Sequence, residues 1–155
     1  MPKPGTNNEA MRAQTAARRA TNENGKDYWY TYNTVLPNEQ NKISQATVQD
    51  QLARAPAPQE TGKSGYPHEY FNQDEDKDKQ PLFRTRTNSS TKTYHEYPVM
   101  ASGKTYAFDK KPRANPGPFR AIVNQNKTFK GVIAHDGEGT KPNAGRFHRA
   151  TEHRP

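Results

Sequence analysis

The sequence predicts an α+β fold in which one helix packs on an antiparallel sheet. Three observations carry this. A single stretch near 44–55 has helix start and stop signals and one apolar face. Three short runs with period-two alternation follow residue 93. The turns between those runs are short and bear Gly, Pro or Asn, which suits an antiparallel meander and leaves no room for crossovers.

Taken in order, residues 1–26 are polar and read as a flexible arm, with one or two helical turns within 9–20. Residues 27–155 read as the single domain. Tyr28 to Tyr32 is aromatic and strand-like. Ser44 can cap the helix, with Ile43 and Val48 at the positions of a hydrophobic staple. Val48 and Leu52 share a face, and Pro56 and Pro58 end the helix. Eleven residues form a marginal helix alone, so this face must dock on the sheet. Residues 56–65 and 72–92 are loops, the second with a polar tip at 88–90.

The strands expected next are Thr93 to Met100, Phe119 to Val123 and Lys130 to His135, with Thr105 to Phe108 as a further candidate. Alternation puts Tyr97, Val99, Phe119, Ala121, Val132 and Ala134 on the helix side. Glu96, Arg120 and His135 then share the other face.

Only 29% of the 155 residues are AVILMFWYC, yet 10% are aromatic. A small core with long polar excursions fits; wholesale disorder would lose the aromatics too. No apolar run approaches the ~18 residues of a membrane span. Net charge is +8, and residues 81–135 alone carry 10 Lys+Arg against Glu96 and Asp109. That field favours polyanions: nucleic acid first, an acidic membrane surface second. With no cysteine there is no disulfide and no thiolate chemistry, which fits a reducing, cytoplasmic setting. Met1 to Ala20 lack an apolar signal region. The five His have no metal-ligand spacing, and no cofactor motif occurs.

Cutting RNA without a metal requires a base for the 2′-hydroxyl, a cation on the phosphoryl oxygens and an acid for the departing 5′-oxygen. Glu96, Arg120 and His135 supply these three, and His68 can assist the base. Singly, each has a plainer explanation as a solvated carboxylate, a surface ion pair or a structural histidine. Arg120 and the basic stretch are expected to hold the Glu96 carboxyl low.

Four motifs tie the set together. They are Gly65-Tyr66-Pro67-His68 with Tyr70 and Asn72, Tyr94-His95-Glu96-Tyr97-Pro98, Asn115-Pro116-Gly117-Pro118-Phe119-Arg120, and Gly131-Val132-Ile133-Ala134-His135. In this order they resemble the small fungal guanyl-specific ribonucleases of the microbial ribonuclease superfamily. The segment Tyr106 to Pro118 is closer to the ribotoxin, sarcin-like branch. The resemblance implies one helix on a twisted five-stranded antiparallel sheet with an N-terminal hairpin. It implies Glu96 as base, His135 as acid, His68 as electrostatic partner or alternate base, and Arg120 and Tyr66 as phosphate ligands.

The same resemblance implies a guanine-recognition loop from Tyr70 to Asp74. Asn72 offers its backbone, and Asp74 or its rival Glu75 is the acidic ligand. Phe147 takes the leaving-group side, and Lys110, Lys111 and Arg113 add RNA affinity. The implied protein is a secreted monomer attacking large-subunit rRNA on the ribosome. A general guanyl-preferring ribonuclease and a non-catalytic RNA-binding effector are the alternatives. The chain departs from the family in lacking its two disulfides, in its long N-terminal segment, and in the loop lengths after His68 and His135.

Overall fold

The computed structural model describes residues 27–83 and 93–153. The arm expected over 1–26 and the loop tip at 88–90 lie outside the described residues. The chain opens with β1 (Tyr28–Tyr30) and β2 (Lys42–Ser44), which pair antiparallel as Trp29 opposite Ile43. Helix α1 (Gln45–Arg54) follows at once. Then come β3 (His68–Tyr70), β4 (Tyr94–Pro98), β5 (Phe119–Asn124), β6 (Phe129–His135), β7 (Phe147–Arg149) and β8 (Thr151–His153). Strands β3 to β7 form a five-stranded antiparallel sheet in sequence order. Strand β8 turns away to pair with β1, giving a second sheet in the order β2-β1-β8.

The helix starts where its signals place it. Ser44 Oγ accepts the Thr47 N–H at 3.1 Å, satisfying a donor that the first turn leaves orphaned. At the other end, Lys127 Nζ donates to the Ala55 carbonyl at 2.6 Å. That cation also complements the negative end of the helix dipole. Val48 and Leu52 bury against Tyr97, Val99, Phe119, Ala121, Val132 and Ala134, the face that alternation assigns to the core. Trp29 joins them and donates its indole N–H to Gln45 Oε1.

Docking is fixed by a buried amide. Gln51 Oε1 accepts the Met100 N–H at 2.7 Å, and Gln51 Nε2 donates to the Met100 carbonyl at 2.8 Å. Gln51 is 1% exposed. Gln51→Met strands both backbone groups, so stability should fall by about 2 kcal/mol or more, read from urea unfolding. An unchanged midpoint would show that the pair contributes nothing net.

Two strand expectations need correction. Thr105 to Phe108 is a turn: the Phe108 N–H bonds back to the Tyr106 carbonyl, and the Tyr106 hydroxyl donates to the Ala114 carbonyl. Strand β1 ends at Tyr30, because the chain turns to cross the end of β6. The opposite face of the large sheet carries its own core of Tyr70, Leu82, Phe83, Tyr94, Ile122 and Ile133. That core fills one half of the face and leaves the other half for Glu96, Arg120 and His135.

Candidate active site

Register brings the predicted residues together. His68 on β3 sits directly opposite Glu96 on β4. Arg120 on β5 lies two residues along from Ile122, the partner of Glu96. His135 ends β6 opposite Phe147 on β7. Each side chain therefore rises from a hydrogen-bonded strand, which gives rigid placement.

Arg120 is the hub and is 3% exposed. Its Nη1 donates to the carbonyls of Pro116, Gly117 and Phe119 at 3.1, 2.6 and 2.9 Å. The loop can aim those carbonyls inward because Gly117 takes φ +64°, and Asn115 Oδ1 caps the turn at the Gly117 N–H. With Nη1 saturated, the other edge of the guanidinium faces the groove. Nη2 lies 3.5 Å from the Tyr66 hydroxyl, and Nε lies 3.4 Å from Glu96 Oε1. Nε is buried without a hydrogen-bond partner, a donor held ready for an anion.

Glu96 Oε1 also lies 3.6 Å from His68 Nε2. His68 is the exposed member of the pair, stacks on Tyr66 at 4.6 Å, and holds Nδ1 3.0 Å from the Glu69 carbonyl oxygen. On the far side, the His135 ring stacks on Phe147 at 3.8 Å. His135 Nδ1 donates to the Gly145 carbonyl at 2.9 Å, leaving Nε2 for chemistry. The Arg120 guanidinium lies 5.8 Å from the Phe147 ring centre.

Electrostatics corrects one expectation. Burial pushes the Glu96 carboxyl up from 4.5, outweighing the cations His68 and Arg120 that pull it down. The sequence shows the cations but not the depth at which the carboxylate sits. Burial also pushes His135 down from 6.5, aided by Arg120 and opposed by the Gly145 carbonyl, Asp74 and Asp136.

A cavity of about 290 Å³ opens beside Glu96, lined by His68, Phe71, Asn72, Asp74 and Phe147. Tyr70, at the start of the expected recognition loop, is 6% exposed, packs edge-on to Phe83 and Phe147, and also lines this cavity. Asp74 accepts the Tyr70 hydroxyl at 2.9 Å and the Phe147 N–H at 3.1 Å. With both oxygens engaged it acts as a strut between loop and β7, and Glu75 is the exposed carboxylate next to it.

Asn72 takes φ +56°, and its side-chain amide pairs with the backbone of Phe83 at 2.6 and 3.1 Å, which turns its own backbone toward the cavity side. Phe71, 68% exposed, is the open aromatic surface, and sequence reasoning missed it. Arg113 lies 5.6 Å from the Tyr66 ring centre and reaches the rim, while Lys110 and Lys111 stay exposed on the loop before it. A larger cleft of about 590 Å³, between Leu36, Ile43 and Met100, gathers none of the predicted site residues.

Residues 31–150 match the family model described as "Ribonuclease". The chain belongs to the microbial ribonuclease family. Among curated members, it is 38% identical over 111 residues to ribonuclease alpha-sarcin of Aspergillus giganteus, covering 57% of this chain and 60% of that one. It is 46% identical over 59 residues to a ribonuclease of Arthroderma benhamiae, 37% of each chain. It is 30% identical over 76 residues to a guanyl-specific ribonuclease of Aspergillus oryzae, 49% of this chain and 47% of that one. The first two matches thus span about four to six tenths of those relatives' lengths.

Among solved structures of the family, the ribotoxin restrictocin of Aspergillus superposes with a TM-score of 0.62 at 26% identity, over 80% of this chain and 99% of that one. Restrictocin complexed with a 29-mer sarcin/ricin domain RNA analog gives 0.60 at 23%, a likeness of fold. The α+β architecture read from the sequence is this family's fold.

Proposed function

We propose that this chain is an endoribonuclease that cleaves RNA 3′ of guanosine by transesterification, using Glu96 as base and His135 as acid. The observation that carries it is the groove: a buried Arg120 Nε, ion-paired to Glu96 Oε1 at 3.4 Å but without a hydrogen-bond partner, with His135 across from them on Phe147. Glu96 takes the proton of the 2′-hydroxyl as O2′ bonds to phosphorus. Arg120 Nε and Nη2 hold the non-bridging oxygens as charge builds. The P–O5′ bond breaks, and His135 Nε2 gives its proton to O5′. The products are a 2′,3′-cyclic phosphate and a 5′-hydroxyl. Hydrolysis of the cyclic ester runs the same roles in reverse.

His68 supports the base electrostatically from its exposed position. Phe71 and the Asn72 backbone border the cavity beside Glu96, the place a base attached to the attacking ribose occupies. Asp74, which lines that cavity, is the first candidate carboxylate for its Watson–Crick edge, and the exposed Glu75 beside it is the rival. Every catalytic position is filled, which argues against a non-catalytic RNA binder.

Within this activity we favour a ribotoxin-like target, large-subunit rRNA. The restrictocin likeness spans nearly that whole chain, and the charge sits in 81–135. The deciding experiment is incubation with intact ribosomes and with naked RNA, with EDTA present. One discrete large-subunit fragment supports the ribotoxin reading. Broad cutting after G supports the general ribonuclease. No cutting of either removes the enzyme reading. Cleavage should survive EDTA, since no proposed step uses a metal; loss reversed by added zinc or magnesium would remove the acid–base scheme.

Lys110, Lys111 and Arg113 are assigned to affinity. Replacing all three with Ala should weaken binding and flatten its salt dependence, because each phosphate contact on a single strand adds about −0.7 to the log–log slope. An unchanged slope would leave the cluster a solvated surface.

A further inference from the structure

His148 is titratable, nearly buried and unused by the chemistry above. It follows Phe147 on β7, so its side chain leaves the strand on the side away from the groove. Its side chain is 12% exposed. His148 Nδ1 lies 2.6 Å from Asp136 Oδ1. His148 Nε2 accepts the Tyr32 backbone N–H at 3.1 Å. The Tyr32 ring stacks on the imidazole with centres 3.8 Å apart and planes 10° apart. An Nε2 that accepts a backbone N–H carries no proton, so the proton sits on Nδ1 and donates to the Asp136 carboxylate.

Asp136 directly follows His135, and the same segment of chain grips both. The Asp136 N–H donates to the Arg146 carbonyl at 2.8 Å, and its own carbonyl accepts the Thr34 N–H at 2.7 Å. Asn33 Nδ2 donates to the His135 carbonyl at 3.0 Å and to the Pro142 carbonyl at 2.8 Å. Residues 32–34 therefore strap the end of β6 to the start of β7, around the residue that must deliver a proton.

We propose that Asp136, His148 and the Tyr32 backbone form a positioning clasp for the general acid, fixing His135 against Phe147 and keeping a carboxylate charge on the residue next to it. The proposal rests on the reading of His135 as the acid. Arg120 from β5 opposes the protonated state of His135; Asp74 from the 71–83 loop and Asp136 favour it, and the Gly145 carbonyl receives its Nδ1–H. His148 faces Asp136 and Tyr32. Protonating His148 at Nε2 would set one N–H against the Tyr32 N–H, and burial also disfavours that state. The histidine stays neutral, and the Asp136 charge is not cancelled.

The test uses two substrates: RNA, and a guanosine 3′-phosphodiester with a nitrophenolate leaving group that needs no acid. Asp136→Asn keeps the shape and an acceptor for His148 but drops the charge. Its alkaline limb of kcat/KM on RNA should move to lower pH with the acid limb unmoved. His148→Leu should lower kcat on RNA about tenfold or more through misplacement of the acid, with KM nearly unchanged and the activated ester spared. His148→Asn, whose amide nitrogen overlays Nδ1, should recover much of that loss.

Wild-type alkaline limbs and wild-type RNA-to-ester ratios in folded Asp136→Asn and His148→Leu would overturn the clasp. Should His148→Leu fail to fold, nitrogen-15 NMR of the unaltered protein still decides. His148 must be the neutral Nδ1–H tautomer at the pH of maximal activity; an imidazolium or an Nε2–H tautomer overturns the proposal. If His135→Gln damages both substrates equally, it is the reading of His135 that fails. If His135→Gln discriminates between them and the clasp variants do not, only the clasp fails.

Discussion

His135→Gln is expected to slow cleavage of ordinary RNA by about a hundredfold or more, the ordinary worth of a positioned general acid. The departing 5′-oxygen of RNA is a poor leaving group and needs a proton as the P–O5′ bond breaks. We assign that step to His135. Its Nδ1–H is tied to the Gly145 carbonyl at 2.9 Å, and its ring stacks on Phe147 with centres 3.8 Å apart and planes inclined by 29°. Only Nε2 remains to donate. Glutamine retains hydrogen-bonding capacity but has no transferable proton near neutrality. A nitrophenolate ester leaves without protonation, so the same variant should cleave it nearly as well as the unaltered protein does. The two rates measured side by side check this. Equal damage on both substrates would remove His135 from the acid role.

The shared placement of Glu96, Arg120 and His135 was legible in the sequence because strand alternation is a strong constraint. Once Tyr97, Ala121 and Ala134 were given to the helix side, Glu96, Arg120 and His135 had to share the other face. The helix was equally legible, since Ser44, Ile43, Val48 and Pro56 each carry a local signal. What the sequence hid depends on contacts between distant segments. Strands β3 and β7 are three residues each and gain their pairing from neighbours, so no periodicity marks them.

The ties that hold the Tyr70 to Asp74 loop were hidden because burial cannot be read from residue type: Tyr70 is 6% exposed, and Asp74 accepts its hydroxyl and the Phe147 N–H. Phe71, the open ring, differs from Tyr70 only by one step of alternation. The clasp was invisible too. Tyr32, Asp136 and His148 lie far apart in the chain, and His148 alone is an ordinary histidine.

The same hidden depth sets the pH behaviour, and Glu96 shows it most sharply. The base must be ionised and the acid protonated, so kcat/KM rises through the Glu96 pKa and falls through that of His135. Burial raises the first from 4.5 and lowers the second from 6.5. Both limbs therefore move inward, and the bell should be narrower than an unperturbed carboxyl and imidazole would give. A profile flat from mild acid to beyond neutrality would contradict this electrostatic picture.

Glu96→Gln preserves shape and an acceptor for Arg120 Nε but cannot take a proton. It should cost about a hundredfold or more on RNA and a similar factor on the nitrophenolate ester, since both substrates need the 2′-hydroxyl activated. The acid limb set by the carboxylate should vanish with it. His68, its Nε2 3.6 Å from Glu96 Oε1 and open to solvent, is placed to carry the residual activity as a weaker base. His68→Gln added to Glu96→Gln should then remove what is left. An acid limb that persists unchanged in Glu96→Gln would assign it to another group, and Glu96 would hold Arg120 in place without touching the proton.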